Sequence, residues 1–261
     1  MRRDRAAPDV RPVDDEPTGP SCGQELEQPR DVPHPTALGG MDANTFWRQL
    51  EVVDGDDFYG ERCELGRNEH RYGQRGTFTL YQPGMRRITF YSLRLPRRFP
   101  LATERWQVVA QMKQANPSDL AESGTGYGYS PVLAMIADHG RWAVENNWNR
   151  IWEAPARKGT WVRFAYDVRY SPDPERGWIR VYADLNGDGD ALDPYEAQPT
   201  IRTDTLKTEI ADPAGEDTDT DGIAAGEAIP AHLRVGLYHD PNISCEPSCR
   251  VRVDSVQVVA P

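Results

Sequence analysis

From residue 46 onward the chain is a succession of short runs in which apolar and polar side chains alternate, separated by Gly, Pro, Asn and Asp. A period of two marks a strand with one buried face. In Trp161-Val-Arg-Phe-Ala-Tyr-Asp-Val-Arg-Tyr170, Val162, Phe164, Tyr166 and Val168 share a face opposite Arg163, Asp167 and Arg169. In Trp178–Tyr182, Ile179 and Val181 oppose Arg180. In Trp106–Lys113, regular alternation puts Trp106, Val108, Ala110 and Met112 on one face and Gln107, Val109, Gln111 and Lys113 on the other. The pattern predicts strands at Trp47–Val53, Glu61–Leu65, Gly76–Gln82, Arg87–Leu95, Trp106–Gln114, Val132–Asp138, Arg141–Asn146, Thr160–Tyr170, Trp178–Ala183, Thr200–Lys207, Leu233–Tyr238 and Val251–Val259. A run of strands with no helical periodicity predicts an all-β, antiparallel β-sandwich or jelly roll. Residues 1–40, rich in Pro and charge and nearly free of aromatics, are expected to form a disordered leader or linker, leaving 41–261 as one domain.

Charge divides this domain in two. The chain carries a net charge of -11. Between Asp184 and Glu227 there are 13 acids and two bases, whereas Arg62 to Lys113 holds 11 bases and three acids. The first stretch suits cations and the second suits anions. No apolar run approaches the ~20 residues of a membrane span. The opening Met-Arg-Arg-Asp-Arg is followed by no apolar segment, so no signal peptide is visible. Of four cysteines, Cys245 and Cys249 sit close enough for a local disulfide, which points to an oxidising, extracellular setting. Cys63 is expected to face the core, and Cys22 falls in the leader.

Three predicted strands carry polar residues two or four apart, hence on one side: Arg62 with Glu64, Gln111 with Lys113, and Arg234 with Tyr238. As neighbours they would line a cationic, tyrosine-bearing groove suited to an acidic polymer.

Arg62-Cys-Glu64, Gln111-Met-Lys113 and Arg234-Val-Gly-Leu-Tyr238, in that order, resemble the three strand motifs of the jelly-roll polysaccharide lyases, the alginate-lyase-like and heparin-lyase-I-like enzymes. The likeness extends over the chain from about Phe46, including the run Gly177-Trp-Ile-Arg-Val-Tyr182. It implies a concanavalin-like jelly roll that cleaves a uronate-containing glycan by β-elimination. Such a reaction removes the C5 proton beside the uronate carboxylate and expels the C4 oxygen. Positive or hydrogen-bonding groups must hold the carboxylate as charge builds on it, and an acid and a base must move protons. The resemblance assigns Arg62 and Gln111 to the carboxylate and Tyr238 to proton transfer. Arg234 stands where relatives often carry lysine, and Glu64 is a positioning partner for an arginine.

The family's Gln-x-His pattern is broken here by Lys113. With an ordinary pKa near ~10.4, lysine is a poor base unless strongly perturbed. Tyr238 then acts alone with Lys113 as an electrostatic aid, or His139 in the Asp138-His139-Gly140 turn supplies the imidazole; His239 faces away from Tyr238 on a regular strand. Asn147 and Trp148, beside Asn146, are candidates for one end of the groove. Trp106, Trp142, Trp148 and Trp152 compete between sugar stacking and core packing.

The acidic half contains Asp184-Leu-Asn186-Gly-Asp188-Gly-Asp190 and Asp217-Thr-Asp219-Thr-Asp221-Gly222, both with the ligand spacing of a calcium loop. Tyr195 and Ala228 replace the twelfth-position Glu, so EF-hand helices are not expected. A structural Ca2+ is the one cofactor the sequence offers; the competing role is a pair of acidic turns. No organic cofactor, nucleic-acid partner or membrane is expected, and the chain is expected to be a monomer. A non-catalytic carbohydrate-binding sandwich, stabilised by calcium, is the alternative function.

Overall fold

The computed structural model describes residues 23–25, 40–41, 46–53, 61–65, 81–114, 132–188, 190–192, 199–208, 226–245 and 249–261. Among them there is no helix, and none long and apolar enough to cross a membrane. Fourteen strands follow in chain order: β1 Gly23–Glu25, β2 Gly40–Met41, β3 Phe46–Val53, β4 Glu61–Leu65, β5 Arg86–Arg94, β6 Gln107–Gln114, β7 Leu133–Asp138, β8 Arg141–Asn146, β9 Asn149–Pro155, β10 Trp161–Arg169, β11 Trp178–Ala183, β12 Ile201–Arg202, β13 Ala231–His239 and β14 Arg250–Ala260.

They form two antiparallel sheets. One runs β1-β3-β14-β5-β10-β11-β12, with β2 also on β14; the other runs β4-β13-β6-β7-β8-β9. Strands adjacent in space are often distant in sequence, as in a jelly roll. The fold is therefore an all-β sandwich, as the alternation predicts. Its core fills the space between the inner faces: Tyr91, Leu93, Phe164, Tyr166 and Val168 from one sheet meet Met112, Leu133, Met135, Trp142, Trp152, Val235 and Leu237 from the other. Phe164 sits among Trp142, Trp152 and Tyr91 at ring separations of 5.2, 6.4 and 5.6 Å. Burial raises the hydroxyl pKa of Tyr91 and of Tyr166, so both stay neutral.

Five features depart from the sequence expectations. β9, Asn149–Pro155, is a strand the pattern missed. The strand expected at Thr200–Lys207 shortens to Ile201–Arg202, after which Thr205 N–H and Leu206 N–H both donate to Ser171 O. Of Gly76–Gln82, only Tyr81 and Gln82 are described, and Tyr81 makes an isolated bridge to Ala231. Gly23–Glu25, inside the expected leader, pairs with β3.

The fifth concerns β6. Its register shifts between Val108 and Ala110 against β7. Val109, Ala110 and Met112 pack in the main core, while Val108 belongs to a separate cluster on the other face. Gln107 is buried, donating Nε2–H to Ala137 O and Pro100 O. A bulge places two successive residues on one side and resets the alternation. Val108 and Gln111 are thereby brought to the same face, contrary to the regular pattern.

Candidate active site

The three polar motifs occupy three adjacent strands. β13 lies between β4 and β6. On one side Tyr238 is the register partner of Arg62, and Gly236 of Glu64. On the other, Arg234 pairs with Gln111 and Tyr238 with Val108. Directly opposed residues of an antiparallel pair share a face. Arg62, Gln111, Arg234 and Tyr238, scattered through the sequence, thus hold neighbouring positions on one sheet. A second register shift, in β13 between Val235 and Tyr238, matches the bulge of β6. Lys113 takes the next position on the far side of Gln111, opposite His232. His232 was not singled out from the sequence. Its only signal was the pairing of β13 with β6, which a single strand pattern does not contain.

Tyr238 is half-buried and lies on the face away from the main core, against a floor of Val108, Ala134, Ile136 and Ala143. Trp106 meets its ring edge to face, with centroids 4.7 Å apart and planes at 67°. Such a pair favours one orientation of the ring. Gln111 is buried. His239, next to Tyr238, is fully buried, its Nδ1 2.9 Å from Asp240 O, as the alternation predicts.

Farther across the same sheet, β7, β8 and β9 carry a cluster of acids around Arg150. Its guanidinium bonds Asp138, Glu145 at 3.3 Å and Glu153 at 3.1 Å, and Arg141 bonds Glu153 at 3.0 Å. Burial pushes the Glu145 carboxyl above its ordinary range, with Arg150 opposing. The hydrogen bond from Arg150 holds Glu153 below it. His139 belongs to this cluster: its Nδ1 is 3.1 Å from Asp138 Oδ1, and its backbone N–H donates to Thr103 O. Asp138 ends β7, two strands away from β13, so His139 stands roughly 10 Å from the Tyr238 strand in the pairing direction. The structure does not bring it beside Gln111 and Arg234.

Asn147 and Trp148 form the two-residue loop between β8 and β9, with φ of +47° and +67°. Asn147 donates Nδ2–H to Asp204 Oδ2 at 2.7 Å, and Asn146 ties the same corner through Val132 O, Asp204 O and the Thr203 hydroxyl. Trp148 is exposed, whereas Trp142 and Trp152 are core residues.

The first acidic loop is closed on itself. Asp184 Oδ1 accepts from Gly187 N–H, Asn186 Oδ1 from Asp188 N–H, Asp188 Oδ1 from Asp190 N–H, and Asp190 Oδ1 from Leu192 N–H. Among the described residues no three His, Cys, Asp or Glu side chains gather in a way that could hold a metal. One side-chain oxygen of each of Asp184, Asn186, Asp188 and Asp190 thus accepts a backbone N–H of the turn. Asp217, Asp219 and Asp221 lie outside the described residues, as do Cys22 and the side chain of Cys63. Cys245 and Cys249 form a disulfide.

Among solved structures, an endo-β-1,4-glucuronan lyase from the fungus Trichoderma reesei is similar at 14% identity, with a TM-score of 0.50 over 85% of this chain and 87% of that one. An alginate lyase of Polysaccharide Lyase family 7 aligns at 12% identity and a TM-score of 0.46, over 91% and 85%. The catalytic domain of a glycoside hydrolase family 131 protein from Coprinopsis cinerea aligns at 14% and 0.42, over 81% and 69%. The first of these likenesses concerns the fold alone. No curated protein matches. The family model for polysaccharide lyases matches residues 32–253, and with the sandwich and the three assembled motifs in place, the chain belongs to the polysaccharide lyase family.

Proposed function

We propose that the protein cleaves a uronate-containing polysaccharide by β-elimination on the β4-β13-β6 face. The observation that carries this reading is the register: Arg62 opposite Tyr238, and Gln111 opposite Arg234, on three adjoining strands. Within it, Gln111 and Arg62 hold the uronate carboxylate and stabilise the charge that develops as the C5 proton leaves. Tyr238 moves the proton and protonates the departing C4 oxygen. The C5–H electron pair becomes the C4–C5 double bond as the C4–O bond breaks. The products are an unsaturated uronate and a chain with a free hydroxyl. Arg234 and Lys113 supply positive charge that favours an ionised Tyr238. Glu64 is assigned to orienting an arginine.

The site is one-sided in charge. Arg141 and Arg150 are already spent on Asp138, Glu145 and Glu153. The positive charge assigned to an anionic sugar is that of the β4, β13 and β6 motifs, Arg62, Arg234 and Lys113. A second assignment of the proton acceptor is favoured by one pairing: His232 opposite Lys113 restores a histidine beside the altered Gln-x-Lys motif. The Cys245–Cys249 disulfide supports an extracellular place of work.

The test is release of ultraviolet-absorbing unsaturated product from glucuronan, alginate and heparin. The parent protein is expected to produce it from at least one. Tyr238→Phe is expected to lower kcat at least ~10²-fold with little change in thermal stability. A Tyr238→Phe protein that cleaves at the parental rate refutes the role of Tyr238. A parent that binds these glycans without cleaving them is a carbohydrate-binding sandwich instead.

A further inference from the structure

Trp148 presents two costs at one residue. It is a large apolar side chain with 62% of its surface exposed. It also sits at φ +67°, in the left-handed region that Gly and Asn occupy readily and bulky residues avoid. A two-residue hairpin loop with positive φ at both positions favours Asn-Gly, and here the second position is tryptophan. Nothing in folding asks for it. The loop is already fixed by Asn147 on Asp204 and by Asn146 on Thr203 and Val132. Strain that the fold does not need, at a residue that the core does not use, points to function.

Its place in the sheet says which function. Gln111, Ala134 and Glu145 are successive register partners across β6, β7 and β8. Trp148 lies three residues beyond Glu145. With ~4.8 Å between strands and ~3.3 Å per residue, the Cα atoms of Gln111 and Asn146, where β8 ends, are roughly 10 Å apart, and Trp148 lies beyond Asn146 in the turn toward β9. A second feature of the sheet agrees: the row from Gln111 toward that turn crosses apolar Ala134 and then Glu145, whose charge is compensated by Arg150, open to a sugar's hydroxyl face more than to its carboxylate. An exposed indole is a stacking surface for the C–H face of a pyranose ring.

Resting on the reading of the protein as a lyase of acidic polymers, we propose that Trp148 is a sugar-stacking platform at the end of the substrate path, several residues along the polymer from the site of cleavage. It grips long chains and contributes nothing to short ones.

The experiment compares the parent with Trp148→Gly, Trp148→Asn and Trp148→Phe. Glycine and asparagine both accept the left-handed loop, so neither should unfold it, and relief of strain should raise Tm by about 2–4 °C. Binding is measured separately from turnover, by affinity electrophoresis in gels containing glucuronan or alginate. Loss of the indole should weaken polymer binding about 5- to 10-fold in both left-handed variants, raise KM for polymer with kcat retained, and leave disaccharide and trisaccharide kinetics unchanged. Trp148→Phe should bind nearly as the parent does. Gly and Asn variants with parental polymer affinity overturn the platform, as does a fall in Tm with binding unchanged, which would make Trp148 a structural residue. A parent that binds polymer without producing unsaturated product removes the lyase reading and leaves the platform standing if the variants bind less. A parent that binds neither glycan overturns both.

Discussion

Trp106 offers a way to measure how much of catalysis depends on holding Tyr238 still. Its ring meets that of Tyr238 edge to face at 4.7 Å, and both are half-buried on the face away from the core. Trp106→Leu keeps an apolar side chain on the floor of Val108, Ala134, Ile136 and Ala143 but removes the aromatic edge. An edge-to-face pair contributes ~0.5–1.5 kcal/mol beyond burial. If that energy serves to select the productive orientation of Tyr238, its loss lowers the competent population about 2- to 13-fold. Initial rates of unsaturated-product formation should show the loss in kcat, with KM nearly unchanged, because uronate binding is assigned to Gln111 and Arg62. The decisive measurement is the cycle with Tyr238→Phe. Once the hydroxyl is gone, the orientation of the ring no longer matters, so Trp106→Leu should cost nothing more in that background. Equal losses in both backgrounds, or a loss confined to KM, would refute the reasoning and make Trp106 a binding or packing residue.

Two further outcomes follow from the same sheet. His232→Gln should abolish an acid limb near pH ~6.5 in the kcat profile, as expected when an imidazole accepts the proton; an unchanged profile leaves Tyr238 as both acid and base. Burial raises the pKa of Glu145 above its usual 4.5, so the folded state binds that proton more tightly than the unfolded chain, and stability contributed by the protonated form is lost as pH rises through the raised value. Glu145→Gln removes this titration. Parental stability relative to the variant, followed by urea unfolding, should therefore fall as pH rises above the usual 4.5; a difference that rises with pH contradicts the assignment.

Many strands were legible because each is short and strongly patterned. Glu61–Leu65, Arg141–Asn146 and Trp178–Ala183 appear with the bounds expected from alternation. What alternation could not show is where it breaks. The bulge at Val109 and Ala110 gives Gln107 to the interior and puts Gln111 on the Val108 face, and nothing in Gln-Val-Val-Ala-Gln announces it. β9 was hidden by its turn. Asn146-Asn-Trp-Asn149 lacks the glycine that signals a tight hairpin, so the segment resembled a loop, and the turn closes only because Asn147 and Trp148 both take positive φ. His232 was invisible for a different reason. Its interest comes from standing opposite Lys113, and cross-strand partners over such a separation are set by topology. His139 shows the converse: chemically suited, but held by Asp138 in another cluster.

The order β4-β13-β6 also decides when during folding the site can exist. β7, β8 and β9 are joined by short turns and can pair as soon as they are made. β13 must meet β4 across about 175 residues, a closure whose entropy alone costs about 4–5 kcal/mol plus a constant. Arg62 finds Tyr238 only after nearly the whole chain has emerged, so the acid cluster around Arg150 forms from local contacts and the cationic strands assemble late. A nascent or C-terminally clipped chain lacking β13 would present β4 and β6 as open edges, able to pair with other chains before they could act on a glycan.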